Sequence, residues 1–288
     1  MSGVRPERRP VDEAESLRAN RADWDAYADE YQSTHGEFLG DHGFLWGPEG
    51  VREDDVRALG EVTRKDVLEI GCGAGQCSRW VLVRGGRPVG IDVSMRQLQH
   101  SRRIDEEHGV VVPTLCASAA GMPFADATFD VVLSQFGHMF APRPEVATAE
   151  MLRVLKPGGT IAFSTWPPEL LVGRLFALTG RYLPPPPAGV APPPLWGDPT
   201  VIRERLGSAV KDLSFDRGQM TVPSLSAQHL RALTESGGGP MRRVVGLLST
   251  SDPDRLAAFR AEYDAIVADY LDDNLVRQSF LMTRATKI

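Results

Sequence analysis

The chain has 288 residues, of which 42% are apolar, and its 32 basic residues face 38 acidic ones for a net charge of −6. That apolar share suffices for a sizeable core, and the acidic balance argues against a nucleic-acid backbone as the main partner. No apolar run nears the roughly 20 residues of a membrane span, the first 21 residues read as no secretory signal, and three cysteines without disulfide or zinc spacing suit a reduced cytoplasm.

Residues 1–22 are polar and highly charged and are expected to form a flexible tail. From there to residue 60 a helical segment is expected, because Trp24, Tyr27, Ala28 and Tyr31 recur at three- and four-residue steps. The stretch from His35 to Gly47 is rich in glycine and aromatics and has no period.

The most informative stretch runs from Val67 to Gly75. A short apolar run, Val67 to Ile70, meets Gly71, Gly73 and Gly75 at every second position, and Cys77, Trp80 and Val81 then recur at helical spacing. Strand, glycine turn and helix form the frame of a nucleotide-type site, since glycine allows positive φ and a close approach of backbone to ligand. The dinucleotide fingerprint fails because its sixth position is Gln76, and the phosphate-loop pattern fails because no Gly-Lys-Ser/Thr follows. Cys72 in such a turn reads as a small filler and not as a nucleophile. Arg87 to Ile91 reads as a second strand ending in Asp92, where a carboxylate can accept hydrogen bonds from both hydroxyls of a ribose. Val93 would then offer an apolar face to the base.

Glu69-x-Gly71-x-Gly73-x-Gly75 resembles the first motif of the class I S-adenosylmethionine-dependent methyltransferases. Further along, Val110 to Cys116 reads as a third strand leading into Ala117 to Phe124. That segment is similar to the family's adenine-side loop, with Ser118 where an Asp is common and Ala119 offering its amide to the ring. Phe129 to Ser134 is a fourth strand, and Glu145 to Leu155 a helix that closes on a turn at Lys156–Gly159 before a fifth strand, Thr160 to Thr165. The phrase from Met151 to Gly159 resembles the small-molecule branch that includes ubiquinone and menaquinone biosynthesis enzymes. The resemblance covers about residues 65 to 166, taken here as a cofactor-binding core over 61–168.

The resemblance implies an α/β, Rossmann-like, mostly parallel seven-stranded sheet with helices on both faces and inserted lid helices. It implies S-adenosylmethionine as donor and no metal. The cofactor contacts implied are Glu69, Gly71, Cys72, Gly73, Gly75, Asp92, Val93, Ser118, Ala119, Ser134 and Gln135, with Tyr31 and His35 from a lid. Ligands collect at the carboxyl ends of strands in such sheets, so the segment from Ser134 to Pro142 should face the methyl group. His138 there is the candidate general base. Ser134-Gln135-Phe136-Gly137 is not the Asn/Asp-Pro-Pro-aromatic step of enzymes acting on bases or glutamine.

In residues 169–288, the proline-rich stretch from Leu183 to Trp196 reads as a stiff connector. Alternating Leu213 and Phe215 mark a sixth strand. Ser226 and Asp252 are positioned to cap two helices, the second carrying Leu256, Phe259, Tyr263 and Ile266, and Ser279 to Thr283 reads as a seventh strand. Helices inserted before that last strand would roof the site. The activity expected is methyl transfer to a small, partly apolar metabolite, most simply at oxygen, with carbon or nitrogen as alternatives. A non-catalytic donor-binding module remains a further alternative. The protein is expected to be a cytoplasmic monomer or homodimer.

Overall fold

The computed structural model describes residues 13–46, 51–186, 190–237 and 239–288. The chain runs α1 (Glu13–Leu39), α2 (Glu53–Val56), β1 (Asp66–Ile70), α3 (Gln76–Val83), β2 (Arg87–Asp92), α4 (Met95–His108), β3 (Thr114–Cys116) and β4 (Phe129–Gln135). There follow α5 (Pro144–Val154), β5 (Leu155–Thr165), α6 (Leu171–Tyr182), α7 (Pro199–Leu206) and β6 (Val210–Pro223). The last part comprises α8 (Ala227–Ser236), α9 (Gly239–Ser251), α10 (Pro253–Ala268), β7 (Leu271–Asp272) and β8 (Leu275–Lys287).

One sheet has the order β3-β2-β1-β4-β5-β8-β6, with β7 paired only to β8. Strands β1 to β5 are parallel, and β8 is antiparallel to β5, β6 and β7. Buried runs such as Val67–Ile70 and Val131–Ser134 suit strands covered on both faces. Separate apolar clusters lie against the two faces, one around Phe129, Phe163 and Leu281, the other around Trp46, Trp80 and Phe280. The order reverses between β1 and β4, and in such sheets the crevice at that reversal is where ligands bind.

Local chemistry sets the helix ends. Ser94 Oγ accepts the Gln97 amide at the start of α4, and Asp252 accepts the Arg255 amide at the start of α10. Ser226 does the same for α8.

Several expectations change. The expected tail is helical from Glu13 onward, while residues 1–12 lie outside the described residues. The third strand is limited to Thr114–Cys116. Lys156–Gly159 is an excursion within β5 and not a turn ahead of it: Leu155 already pairs with Phe129, and the register resumes at Val131 with Thr160. The final strand spans Leu275–Lys287 and inserts between β5 and β6. Part of the proline stretch, residues 187–189, lies outside the described residues, whereas Pro194 and Trp196 are buried. The inserted helices α8, α9 and α10 pack with α6 into their own core around Leu230, Val244 and Phe259, and none of their side chains lines the cavity described below.

Candidate functional site

A cavity of about 320 Å³ opens over the carboxyl ends of the strands. Its floor is the glycine turn. The amides of Gly71 and Cys72 both donate to Ile91 O, at 2.8 and 3.0 Å, which hooks the turn to β2. Gly71 and Gly73 have φ of +69° and +51°, the left-handed region that costs glycine little. A Cβ on Gly71 would stand 2.6 Å from Gly137 Cα, so the turn and the tip of β4 touch backbone to backbone. Gly75 does not line the cavity. It caps α3, and a Cβ there would run into Ser101 Oγ, so its work is to let α3 and α4 close.

Two carboxylates face the cavity from adjacent strand tips. Glu69 is buried, accepts a hydrogen bond from Ser78 Oγ, and is pushed up to about 7 by that burial. Asp92 accepts the Gly73 amide on Oδ2 at 2.9 Å and the Ser94 amide on Oδ1 at 2.8 Å. Burial raises its carboxyl, and those amides oppose the rise. Val93 and the neighbouring segment Ala117–Ala119 complete this end, with Ser118 Oγ accepting the Ala120 amide at 3.1 Å. Cys72 lines the cavity with its thiol held protonated by burial, which suits packing and not attack.

Helix α1 roofs the cavity along one face. Asn20, Trp24, Tyr31, His35 and Leu39 all line it, at helical spacing. Polar contacts hold the roof down: Asn20 Nδ2 donates to Phe140 O at 3.2 Å, Arg21 Nε to Val93 O at 3.1 Å, and Asp25 accepts the Ser94 hydroxyl at 2.7 Å. Asp29 pairs with Arg96 at 2.7 Å. Tyr31 and His35, expected in a lid, stack on each other with centroids 4.4 Å apart.

The remaining cavity lies past β4 and is walled mainly by apolar side chains. Phe136 stacks on Trp166 at 4.3 Å and 15°, and Trp24 meets Phe140 edge-on at 5.2 Å. Met220 and Gln278, cross-strand partners on β6 and β8, form its far wall. Gln135 lines the cavity with its amide tied to Cys77 Sγ and Leu45 O.

His138 and Ser134 do not reach the cavity. Ser134 Oγ donates to Ile70 O at 2.7 Å and accepts the His138 amide at 3.0 Å, joining the tips of β1 and β4 from behind. The His138 ring is 1% exposed, wedged against Phe163 and Trp196, and neither nitrogen has a hydrogen-bond partner. Burial drives its pKa down to about 3. The turn after β4 points this ring into the core, which withdraws it from proton transfer in the cavity.

Gln97 escaped the sequence reading. It is 3% exposed, lines the cavity beside Gly73, and its Oε1 has no partner. Its position at the third residue of α4, directly after Asp92-Val93-Ser94, was the available signal.

These residues fit S-adenosylmethionine. Two carboxylates and no Lys or Arg line the cavity among the described residues, which favours a sulfonium- and ammonium-bearing ligand over a pyrophosphate. Gln97 Oε1 and Asp92 offer acceptors to hydroxyl or ammonium donors.

A family model described as a methyltransferase domain matches residues 68–163. An uncharacterized protein of Mycobacterium tuberculosis (strain H37Rv) is 30% identical over 226 residues, 77% of this chain and 81% of its own length. A demethylmenaquinone methyltransferase of Renibacterium salmoninarum is 35% identical over 106 residues, 37% of this chain and 43% of that protein. Among solved structures, a putative methyltransferase of Bacillus halodurans matches with TM-score 0.55 at 16% identity, covering 81% of this chain and 96% of that one, a likeness of fold. With a methyltransferase domain matched over residues 68–163 and its own glycine motif at the tip of the first strand of the sheet, the chain belongs to the class I S-adenosylmethionine-dependent methyltransferases.

Proposed function

We propose that this methyltransferase acts on an oxygen of a small, partly apolar metabolite, of the lipid, polyketide or quinone kind. The observation that carries the reading is the acceptor half of the cavity. Strands β1 to β3 supply the donor end, which leaves the tips of β4, β5, β6 and β8 for the acceptor. There the walls are Phe136, Phe140, Trp166 and Met220, with the amide of Gln278 as the polar group at the far side. Flat aromatic walls under a closed roof suit a planar or chain-like apolar body, and a protein or duplex would not pass beneath α1.

The donor supplies an already activated methyl group when bound. What this chain's residues do is simpler. The glycine turn and Asp92 hold the adenosyl part, α1 excludes water, and the aromatic walls align the acceptor. Phe136 and Trp166 are fixed by their own stacking, so little ordering remains when the acceptor enters.

The test is labelled S-adenosylmethionine with a panel of naphthols, hydroquinones, fatty acids and amines, followed by mass location of the methyl. Product on the oxygen acceptors is expected. Methyl found only on amines, peptides or nucleic acid would reject the reading.

A further inference from the structure

A body held only by flat apolar walls has no reason to enter one way round. We propose that Gln278, on β8, fixes the orientation by hydrogen-bonding a second polar group, carried by the acceptor at the end away from its methylated oxygen. The class of substrate this selects is a planar or chain-like body with oxygen at both ends, and the inference rests on the oxygen-acceptor reading above.

The position follows from strand register. At the carboxyl end of β5, Thr165 pairs with Leu281. The earlier residues of β8, from Phe280 back to Leu275, run past β5 and continue beside β6, with β7 joining only at Val276 and Leu275. At about 3.3 Å per residue, Gln278 stands about 10 Å along the strand beyond that last β5 pair. It is carried by a ribbon that overhangs the carboxyl edge of the sheet, where the cavity opens.

The face follows from alternation. Side chains two residues apart on a strand share a face, so Gln278 points with Phe280, whose ring meets Phe136 at 5.9 Å and Trp166 at 6.4 Å, both edge-on. Met220, its cross-strand partner, belongs to the same apolar cluster as Phe280. A Cβ on Gly218 would collide with the Phe280 ring, so glycine there lets that ring lie across β6 and against the aromatic pair.

The chemistry lies in what is left unpaired. Of the two glutamines that line the cavity past β4, Gln135 is engaged at both ends, accepting from Cys77 Sγ and donating to Leu45 O. The Gln278 amide has no hydrogen-bond partner among the described residues. A primary amide both donates and accepts and carries no charge, so a neutral hydroxyl or carbonyl satisfies it. An acceptor without such a group covers the amide and leaves it unpaired, and that cost is what discriminates.

Two probes of equal width test the role: 2-naphthol, and 2,6-dihydroxynaphthalene, which adds an oxygen at the far end. Counted per hydroxyl, the unaltered protein should methylate the diol with a kcat/KM about 3- to 10-fold above that of 2-naphthol, the worth of one neutral hydrogen bond. Gln278→Leu should abolish that preference by lowering the diol value while 2-naphthol is unchanged or improved, with the calorimetric Kd for S-adenosylmethionine unaltered. Gln278→Met, which keeps the length of the side chain, should do the same and carries the test if the leucine variant does not fold. An equal fall on both probes would make Gln278 a structural residue of the wall, and no fall on either would remove it from acceptor recognition; each overturns the proposal. Binding of both probes to the protein saturated with S-adenosylhomocysteine is measured beside turnover. If neither naphthol is methylated, the oxygen-acceptor reading fails on these probes and binding alone decides on Gln278: a preference for the diol that Gln278→Leu erases upholds it, and equal affinities, or none, overturn it.

Discussion

Asp92 accepts the Gly73 amide at 2.9 Å, so the carboxylate that ends the second strand also pins the glycine turn that follows the first. Its other oxygen accepts the Ser94 amide at 2.8 Å and so starts α4. One side chain thereby ties the glycine turn to the start of α4, at the edge of the cavity it lines.

Asp92→Asn should therefore do more harm than a change of charge alone. Both oxygens meet N–H donors, and an amide offers only one acceptor oxygen, so one backbone donor would face an NH₂ group. The donor Kd should rise about tenfold or more and the fold should lose about 1–3 kcal/mol. Calorimetry and chemical denaturation measure the two effects. Donor binding within a factor of two of the unaltered chain would contradict this role.

Gly137→Ala tests the backbone contact beneath the cavity. A Cβ at Gly137 would lie 2.6 Å from Gly71 Cα and 2.9 Å from Ile70 O, and neither neighbour is a flexible side-chain end. The turn must shift, and a loss of donor affinity of about tenfold or more is expected, against a far smaller change for Gly121→Ala, where a Cβ meets nothing within 4 Å. A crystal structure of the variant with an undisplaced turn would refute the argument.

Arg96→Ala probes the roof. Arg96 and Asp29 are each at least half exposed, so their pair is screened by salt and contributes little to folding. Donor affinity should nevertheless fall by about two- to fivefold at low salt, because the roof closes over the bound molecule, and the difference should vanish near 1 M salt. An effect independent of salt would point to packing instead.

His138→Leu should leave turnover intact and change the pH dependence of stability. The imidazole falls to about 3 in the fold from an ordinary value near 6.5. Between those values the unfolded chain holds a proton the folded chain lacks, so this contribution is complete above pH 6.5 and is lost as pH falls toward 3. Glu69 opposes it. Its carboxyl rises from 4.5 to about 7, so its contribution is complete below 4.5 and is lost as pH rises through 7. The two offset one another between about pH 4.5 and 6.5. Removing His138 should expose the Glu69 limb, with the melting temperature of the variant falling from pH 5 to 7 while it tolerates pH 4 better than the unaltered chain. Superimposable pH profiles would show that His138 is not buried as described.

Much of this molecule was legible in its residues. Glu69-x-Gly71-x-Gly73-x-Gly75, Asp92 and the strands between them are local features, and a turn of left-handed glycines closed by the next strand's carboxylate is built from residues within about one helix and one strand of each other. Tyr31 and His35 line the cavity from one face of α1, and that face was visible as an aromatic stripe at helical spacing in the sequence itself.

What escaped the sequence depends on direction and on partners distant along the chain. His138 stands four residues past Ser134 at the correct strand tip, yet the left-handed Phe136 and the short helical turn after it send its ring inward against Phe163 and Trp196. No spacing rule encodes that choice, because it is decided by the core the ring meets. Met220 and Gln278 join the cavity only because β8 inserts between β5 and β6, and the inserted helices leave that wall to those strands because their apolar faces are consumed in packing on each other. The sequence by itself determined the family and the glycine turn with its flanking carboxylates, since backbone conformation and neighbouring charge are written locally. The tertiary structure alone decided which side chains wall the cavity past β4, because that wall brings Phe136 together with Gln278, more than a hundred residues further along the chain.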